Sequence, residues 1–325
     1  MKINLTKIMM MMMMMNSTIM AMSSNNFLYT WTAMEINMIS FLPMLTKSNK
    51  MTDQTMKYFI IQGMASSMMI MAMMTNSMIE SPVQASMMLT ASMLMKLGLI
   101  PFHMWVPMLM NSSSWENCML LSTIQKMIPI ILTSQLTSMK TMTMPMMISL
   151  VAAPMSAMKQ LSMKKIMAFS SIYNTPWMLV ALMNSKPQFL MFMTIYSTTT
   201  SMLMMQMKKM NVMFTNQMMS MKKNMKITMM IMCLSMSGMP PMTGFFPKWM
   251  IIQSITPVSM TMSTMMILSS MIMSFVYIKM LSTNFTMHNL VKKTKKKEEK
   301  EMMTGYMNSF NTLGLPMMLT LKSMS

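Results

Sequence analysis

The chain has 325 residues, 53% hydrophobic and only 10% charged, with a formal net charge of +19. A water-soluble domain carries about a quarter charged residues, so most of this surface cannot face water, and a disordered chain would be far poorer in apolar residues. Two widely separated cysteines, Cys118 and Cys233, exclude a disulfide framework or an iron–sulfur cluster held by this chain alone. The class that remains is an all-α polytopic membrane protein.

A helix crosses the hydrocarbon in about 20 residues, and stretches free of charge or interrupted by a single charge give about eleven such helices. The first, 8–24, follows Lys2 and Lys7 and imitates a signal peptide. No small-x-small cleavage site follows near Ala21 to Ser24, so it is read as a helix. The second, 27–45, carries Glu35 near its middle, and the third covers 57–75. The fourth, 82–106, holds Lys96 in MKLGLIPFHMWVP, where Gly98 and Pro101 interrupt an apolar run. The fifth, 115–136, has Lys126 near mid-span; 141–158, 162–183 and 187–207 follow. The ninth, 226–252, holds Lys248 in SGMPPMTGFFPKW, interrupted by Gly238, Pro240, Pro241 and Gly244. The tenth and eleventh cover 256–280 and 303–322. Together they form one transmembrane domain, with residues 1–56 preceding a first repeat (about 57–183) and a second (about 187–325).

Lysine placement tests this topology. With alternating loops, twenty lysines fall on one side, from Lys2 and Lys7 through Lys164 and Lys165 to the run KKTKKKEEK at Lys292 to Lys300. Only Lys140, Lys186 and Lys322 fall on the other. The positive-inside rule makes the lysine-rich face the inner one and puts the N-terminus there. Most of the net charge is therefore topology. A nucleic-acid binder would instead show a basic patch on a soluble fold with aromatic platforms, and the KKTKKKEEK run reads as a solvated loop.

Composition also speaks to origin. There are 75 methionines and no arginine, and no packing argument asks for the unbroken run Met9 to Met15. Strongly A+T-rich DNA, translated with a code in which ATA gives Met, explains both biases, and that code is mitochondrial. The rival explanation, thioether ligands for copper(I), would cluster Met with Cys or His, and no such cluster is visible.

Lys96, Lys126 and Lys248 fall inside predicted spans, as does Glu35. An ionisable group at the centre of a bilayer costs about 2.5–3.5 kcal/mol on insertion scales, which makes each a functional candidate. Snorkelling from a helix end is the alternative, most readily for Lys248. Glu35 is too short to snorkel and needs a partner, for which Lys96 is the natural choice. Proline removes a backbone donor, so the fourth and ninth helices must break and leave carbonyls unpaired at membrane depth. Such backbone is tolerated where it lines a buried or hydrated cavity, and two broken spans in corresponding positions mark the ion site of an inverted-repeat transporter. The chemistry that follows is proton relay: burial disfavours a charged lysine, a nearby carboxylate favours it, and moving that charge switches the lysine between holding and releasing a proton. His103 joins the candidates because imidazole titrates near neutrality; a structural role beside the helix break is the alternative. Six glycines, none in G-x-G-x-x-G, leave no dinucleotide site.

The segments WTAMEINMISFLP, KYFIIQGMASS, KLGLIPFHMWVP, LLSTIQKMIP, KKIMAFSSIYNTPW and LSMSGMPPMTGFFPKW occur in this order across residues 27–253. In order and spacing they resemble the antiporter-like membrane subunits of respiratory complex I, the NADH–ubiquinone oxidoreductase of mitochondria. The resemblance implies an inverted-repeat antiporter-like fold that lacks the first three helices of its bacterial relatives. It implies proton translocation along Glu35, Lys96, Lys126 and Lys248 in the mitochondrial inner membrane. NADH, FMN, iron–sulfur clusters and ubiquinone would bind other subunits, leaving no cofactor or metal on this chain. Its partners would be neighbouring antiporter-like and small membrane subunits and phospholipid, with no nucleic acid. The family's histidine and glycine in SSIYNTPW are Asn174 and Pro176 here. Two rivals stand: a free-standing cation/proton antiporter, and a structural membrane spacer whose buried lysines are inert.

Overall fold

The structure, a computed structural model, describes residues 5–24, 26–46, 52–78, 82–220 and 223–286. The predicted helix 303–322, the KKTKKKEEK run and Lys322 lie outside the described residues. Helices α1 (Leu5–Ser23), α2 (Phe27–Leu45) and α3 (Thr52–Met78) match the first three predicted spans. The fourth span is two helices, α4 (Pro82–Leu97) and α5 (Trp105–Ser112). The fifth is also two, α6 (Trp115–Ser122) and α7 (Ile124–Leu136), meeting at Thr123, an interruption the sequence pattern does not announce. Then follow α8 (Met139–Met158), α9 (Met163–Asn184), α10 (Lys186–Met210) and a short 3-10 helix, Thr215–Ser220. The ninth span divides into α11 (Lys223–Ser237) and α12 (Phe245–Ile255), and α13 (Met260–Thr286) completes the described bundle.

Among the described residues, five helices are long and apolar enough to cross a membrane by themselves: α1, α3, α8, α9 and α13. The lysine-bearing helices are too short for that test, because α4, α7 and α12 hold only 16, 13 and 11 residues. The bundle wraps around α9, whose span is 89% buried, whereas that of α1 is 17% buried. Small residues make the close packing of α9 possible: Ala168, Ser170, Ser171, Thr175 and Ala181 let neighbouring backbones approach, as in membrane bundles generally. Pro176 lies inside this helix without ending it. The carbonyl of Ile172, which loses its usual N–H partner to the proline ring, accepts instead from the Thr175 hydroxyl at 2.6 Å.

Helices α4 and α11 end by the same device. Gly98 and Gly238 have φ of +67° and +82°, the left-handed region that glycine enters without a Cβ penalty. Leu99 N–H donates to Leu94 O at 3.0 Å and Met239 N–H to Leu234 O at 3.2 Å, the crossed bond of a Schellman cap. The second bond of each cap runs from Gly98 N–H to Met95 O and from Gly238 N–H to Ser235 O. Prolines alone do not interrupt this chain, since Pro129, Pro145 and Pro154 lie within helices. A glycine in the left-handed region followed by a proline does.

Candidate functional site

Lys96 sits in the last turn of α4 with its side chain 4% exposed, and its Nζ lies 3.5 Å from Glu35 Oε1 on α2. The thioether of Met34 is 3.7 Å from the same nitrogen. The helix-end carbonyl of Met95 is taken by the indole N–H of Trp105, which reaches back across the break at 3.2 Å. Between Lys96 and Lys126 lies a cavity of about 30 Å³. That is room for about one or two waters. Tyr58, Gln62, Asn37 and Gln125 supply its polar lining. Gln125 donates to Asn37 Oδ1 at 2.9 Å, and Tyr58 O–H donates to Gln125 Oε1 at 3.4 Å. None of these four was singled out from the sequence, although each is a polar residue within a predicted apolar span.

Lys126 lies in the first turn of α7, just past the Thr123 interruption, and is buried. Its Nζ donates to the backbone carbonyl of Ser171 on α9 at 2.7 Å. On the far side of α9 is Lys248. Its Nζ donates to Met236 O at 3.1 Å and Ser237 O at 2.9 Å, the last carbonyls of α11. It also lies over the rings of Tyr173 and Trp177, 5.4 and 5.7 Å from their centroids. An ammonium at a helix C-terminus satisfies orphan carbonyls and meets the negative end of the helix dipole. A second cavity, about 20 Å³, borders Lys248, Asn174, Thr199 and Tyr196, whose buried hydroxyl has no hydrogen-bond partner among the described residues. Asn174 itself donates to Ser170 O at 2.8 Å.

The three lysines thus follow one another across the bundle, joined by a polar-lined cavity on one side and by the polar face of α9 on the other. The structure does not bring His103 into this row. It is half-buried in the bend between α4 and α5, its Nδ1 3.3 Å from Pro101 O and its ring 6.4 Å from Phe169. Pro101, Pro240 and Pro241 are exposed on the bends. One acid missed in the sequence reading is Glu116, in the first turn of α6, which pairs with Lys7 of α1 and Lys208 of α10. Hydrogen bonds from Lys208 and Lys7 tie its carboxylate to α10 and α1. Close by, Lys164 donates to Ser113 O at 2.6 Å and lies over the Trp115 ring.

Two glycine-capped breaks, a buried lysine beside each and a carboxylate facing one of them are features expected of an antiporter-type membrane protein. Residues 24–274 match the model of the membrane family described as NADH:quinone oxidoreductase/Mrp antiporter, and the chain belongs to that family. It is 36% identical over 269 residues to NADH-ubiquinone oxidoreductase chain 2 of Locusta migratoria, covering 79% of each chain. To the protein of the same name from Gallus gallus it is 32% identical over 281 residues, 81% of each chain. Its fold is similar to a chain of respiratory complex I from Thermus thermophilus, with a TM-score of 0.82 at 15% identity over 94% of this chain and 75% of that one. It is also similar to a chain of the Mrp complex from Dietzia sp., with a TM-score of 0.76 at 11% identity, covering 89% and 62%. The chain is a multi-pass membrane protein of this fold.

Proposed function

We propose that the chain is a proton-translocating membrane-arm subunit of NADH:ubiquinone oxidoreductase, coupling electron transfer in partner subunits to proton movement through its own buried groups. The observation that carries this reading is the row of Lys96, Lys126 and Lys248, each buried, with one carboxylate, Glu35, at its end. Relatives sharing a third of its residues bear the name of that oxidoreductase, which favours this assignment over a free-standing antiporter. In this reading α4 with α5, and α11 with α12, are the two discontinuous spans of about eleven, one in each inverted repeat. The repeats are 57–183 and 187–325, and the lysine-rich face with the N-terminus is the matrix side of the mitochondrial inner membrane.

The relay works by charge. A carboxylate close to Lys96 stabilises its proton, and withdrawal of that charge favours release toward the cavity shared with Lys126. Lys126 and Lys248 have no acidic partner among the described residues and are held by backbone carbonyls, which accept hydrogen bonds without supplying a full charge. Such a site releases a proton readily when a neighbouring cation forms, since like charges in a medium of low dielectric repel strongly. NADH, flavin, iron–sulfur clusters and ubiquinone belong to other subunits in this account, and no redox step is assigned to this chain.

The test is a native gel of mild-detergent membrane extract, stained for NADH oxidation and probed by mass spectrometry for this chain. Its peptides are expected in the large NADH-oxidising band. Peptides confined to a small band without that activity would overturn the assignment in favour of the free antiporter.

A further inference from the structure

At the lysine-poor end of the bundle is a cleft of about 570 Å³, far larger than the cavities at the buried lysines. Its volume falls in the range of small-ligand sites, about 300–1,000 Å³. Apolar side chains from four helices and α1 line it, among them Met22, Ile131, Leu182, Phe189 and Leu190. Met22 and Leu190 are themselves exposed, so the cleft opens on the outer surface of the bundle.

The charge around it is one-sided. Lys186 lines the cleft, and Lys140 follows Met139, another lining residue. These are the two cations that the topology assigns to this end among the described residues, and neither has an acidic partner there. Each occupies the first turn of its helix, α10 or α8, and neither first turn contains an acid. A lysine at a helix N-terminus adds to the positive end of the dipole instead of balancing it, so each lysine and its helix end together favour a nearby anion. Ser134, Gln135 and Thr137 add hydrogen-bonding groups to the same lining.

We propose that this cleft binds one anionic phospholipid, its acyl chain along the apolar wall and its phosphodiester at Lys186 with Lys140 beside it. The apolar wall suits a lipid tail, and the unbalanced lysines select the headgroup by charge. The site is independent of the proton relay and of the assignment to an oxidoreductase.

The test uses membranes containing the full chain in its native assembly. They are loaded with phosphatidylglycerol or phosphatidylcholine carrying a photoactivatable diazirine in the acyl chain, and labelled peptides are mapped by mass spectrometry. Each lysine close to an anionic headgroup contributes roughly a factor of five. Labelling of segments 131–139 and 182–190 from phosphatidylglycerol is therefore expected to exceed that from phosphatidylcholine by about fivefold or more. The preference is expected to vanish in the double variant Lys140→Gln, Lys186→Gln. Equal labelling by the two lipids in the unmodified chain, no labelling of these segments by either, or a preference that survives in the double variant would each overturn the proposal. The lipid ratio in the unmodified chain decides the matter even where the variant fails to assemble.

Discussion

The two glycine-capped breaks share one backbone device and place their lysines in opposite ways. In both, a Schellman cap closes on a glycine with positive φ, Gly98 or Gly238, and a proline follows. Lys96 precedes its glycine, sits on the helix that ends, and faces the carboxylate of Glu35. Lys248 follows its glycine, sits on the helix that begins, and reaches back to cap the carbonyls of α11. At the first break that capping task falls to the neutral indole of Trp105. The difference teaches where each lysine draws its stabilisation: Lys96 from a carboxylate on another helix, Lys248 from backbone dipoles and two aromatic faces.

The sharpest way to break the second region is through its backbone. A Cβ at Gly244 would lie 1.8 Å from the carbonyl oxygen of Ser235, which cannot move without displacing the end of α11. Gly244→Ala is expected to cost about 3 kcal/mol or more, as overpacking does at its upper range. It should appear as loss of the chain from membranes in a quantitative immunoblot. An abundance equal to wild type would show that α11 and α12 are not held in this register.

In the first region the expected effect is electrostatic. Glu35→Gln leaves Lys96 without its counter-charge, at a cost below the about 3–5 kcal/mol of a fully buried pair because Glu35 is half-buried. Adding Lys96→Met should recover much of that stability while leaving proton pumping impaired, read as the thermal midpoint of the assembly against its pumping rate. A double variant no more stable than Glu35→Gln alone would mean that the pair does not stabilise the fold.

The smallest effect belongs to Glu116, which ties α1 to α10 at the partly exposed end. Glu116→Gln is expected to cost at most about 1 kcal/mol, more at low salt than at high salt. The ion pair exists only while the carboxylate is charged, so this contribution is lost in acid. The wild type and the variant should therefore differ in thermal midpoint at pH 7 and converge in acid. A gap that persists unchanged at pH 3 would assign the effect to packing.

Much of this was legible in the sequence because bilayer physics restricts the alternatives. Charge-free length located α1, α2, α8 and α9 within a few residues, and the Gly–Pro pairs located both caps. The pairing of Glu35 with Lys96 followed from the cost of leaving either alone. The interruption at Thr123 was not legible, since neither glycine nor proline stands there. Nor were Asn37, Tyr58, Gln62 and Gln125, whose convergence on one cavity depends on the rotation of three separate helices. Glu116 escaped because, at the start of an apolar span, it reads as the ordinary acid of a first helical turn. His103 was drawn into the row by its chemistry, and the bend between α4 and α5 carries it elsewhere.

The central claim is that the buried lysines carry protons, and Lys126, midway along the row, is its most direct test. The measurement is the ratio of protons moved to electrons transferred during NADH oxidation in sealed inner-membrane vesicles bearing Lys126→Met. The account predicts a fully assembled complex whose ratio falls below that of wild type. An unchanged ratio at normal electron flux would contradict it and leave the lysines as inert packing.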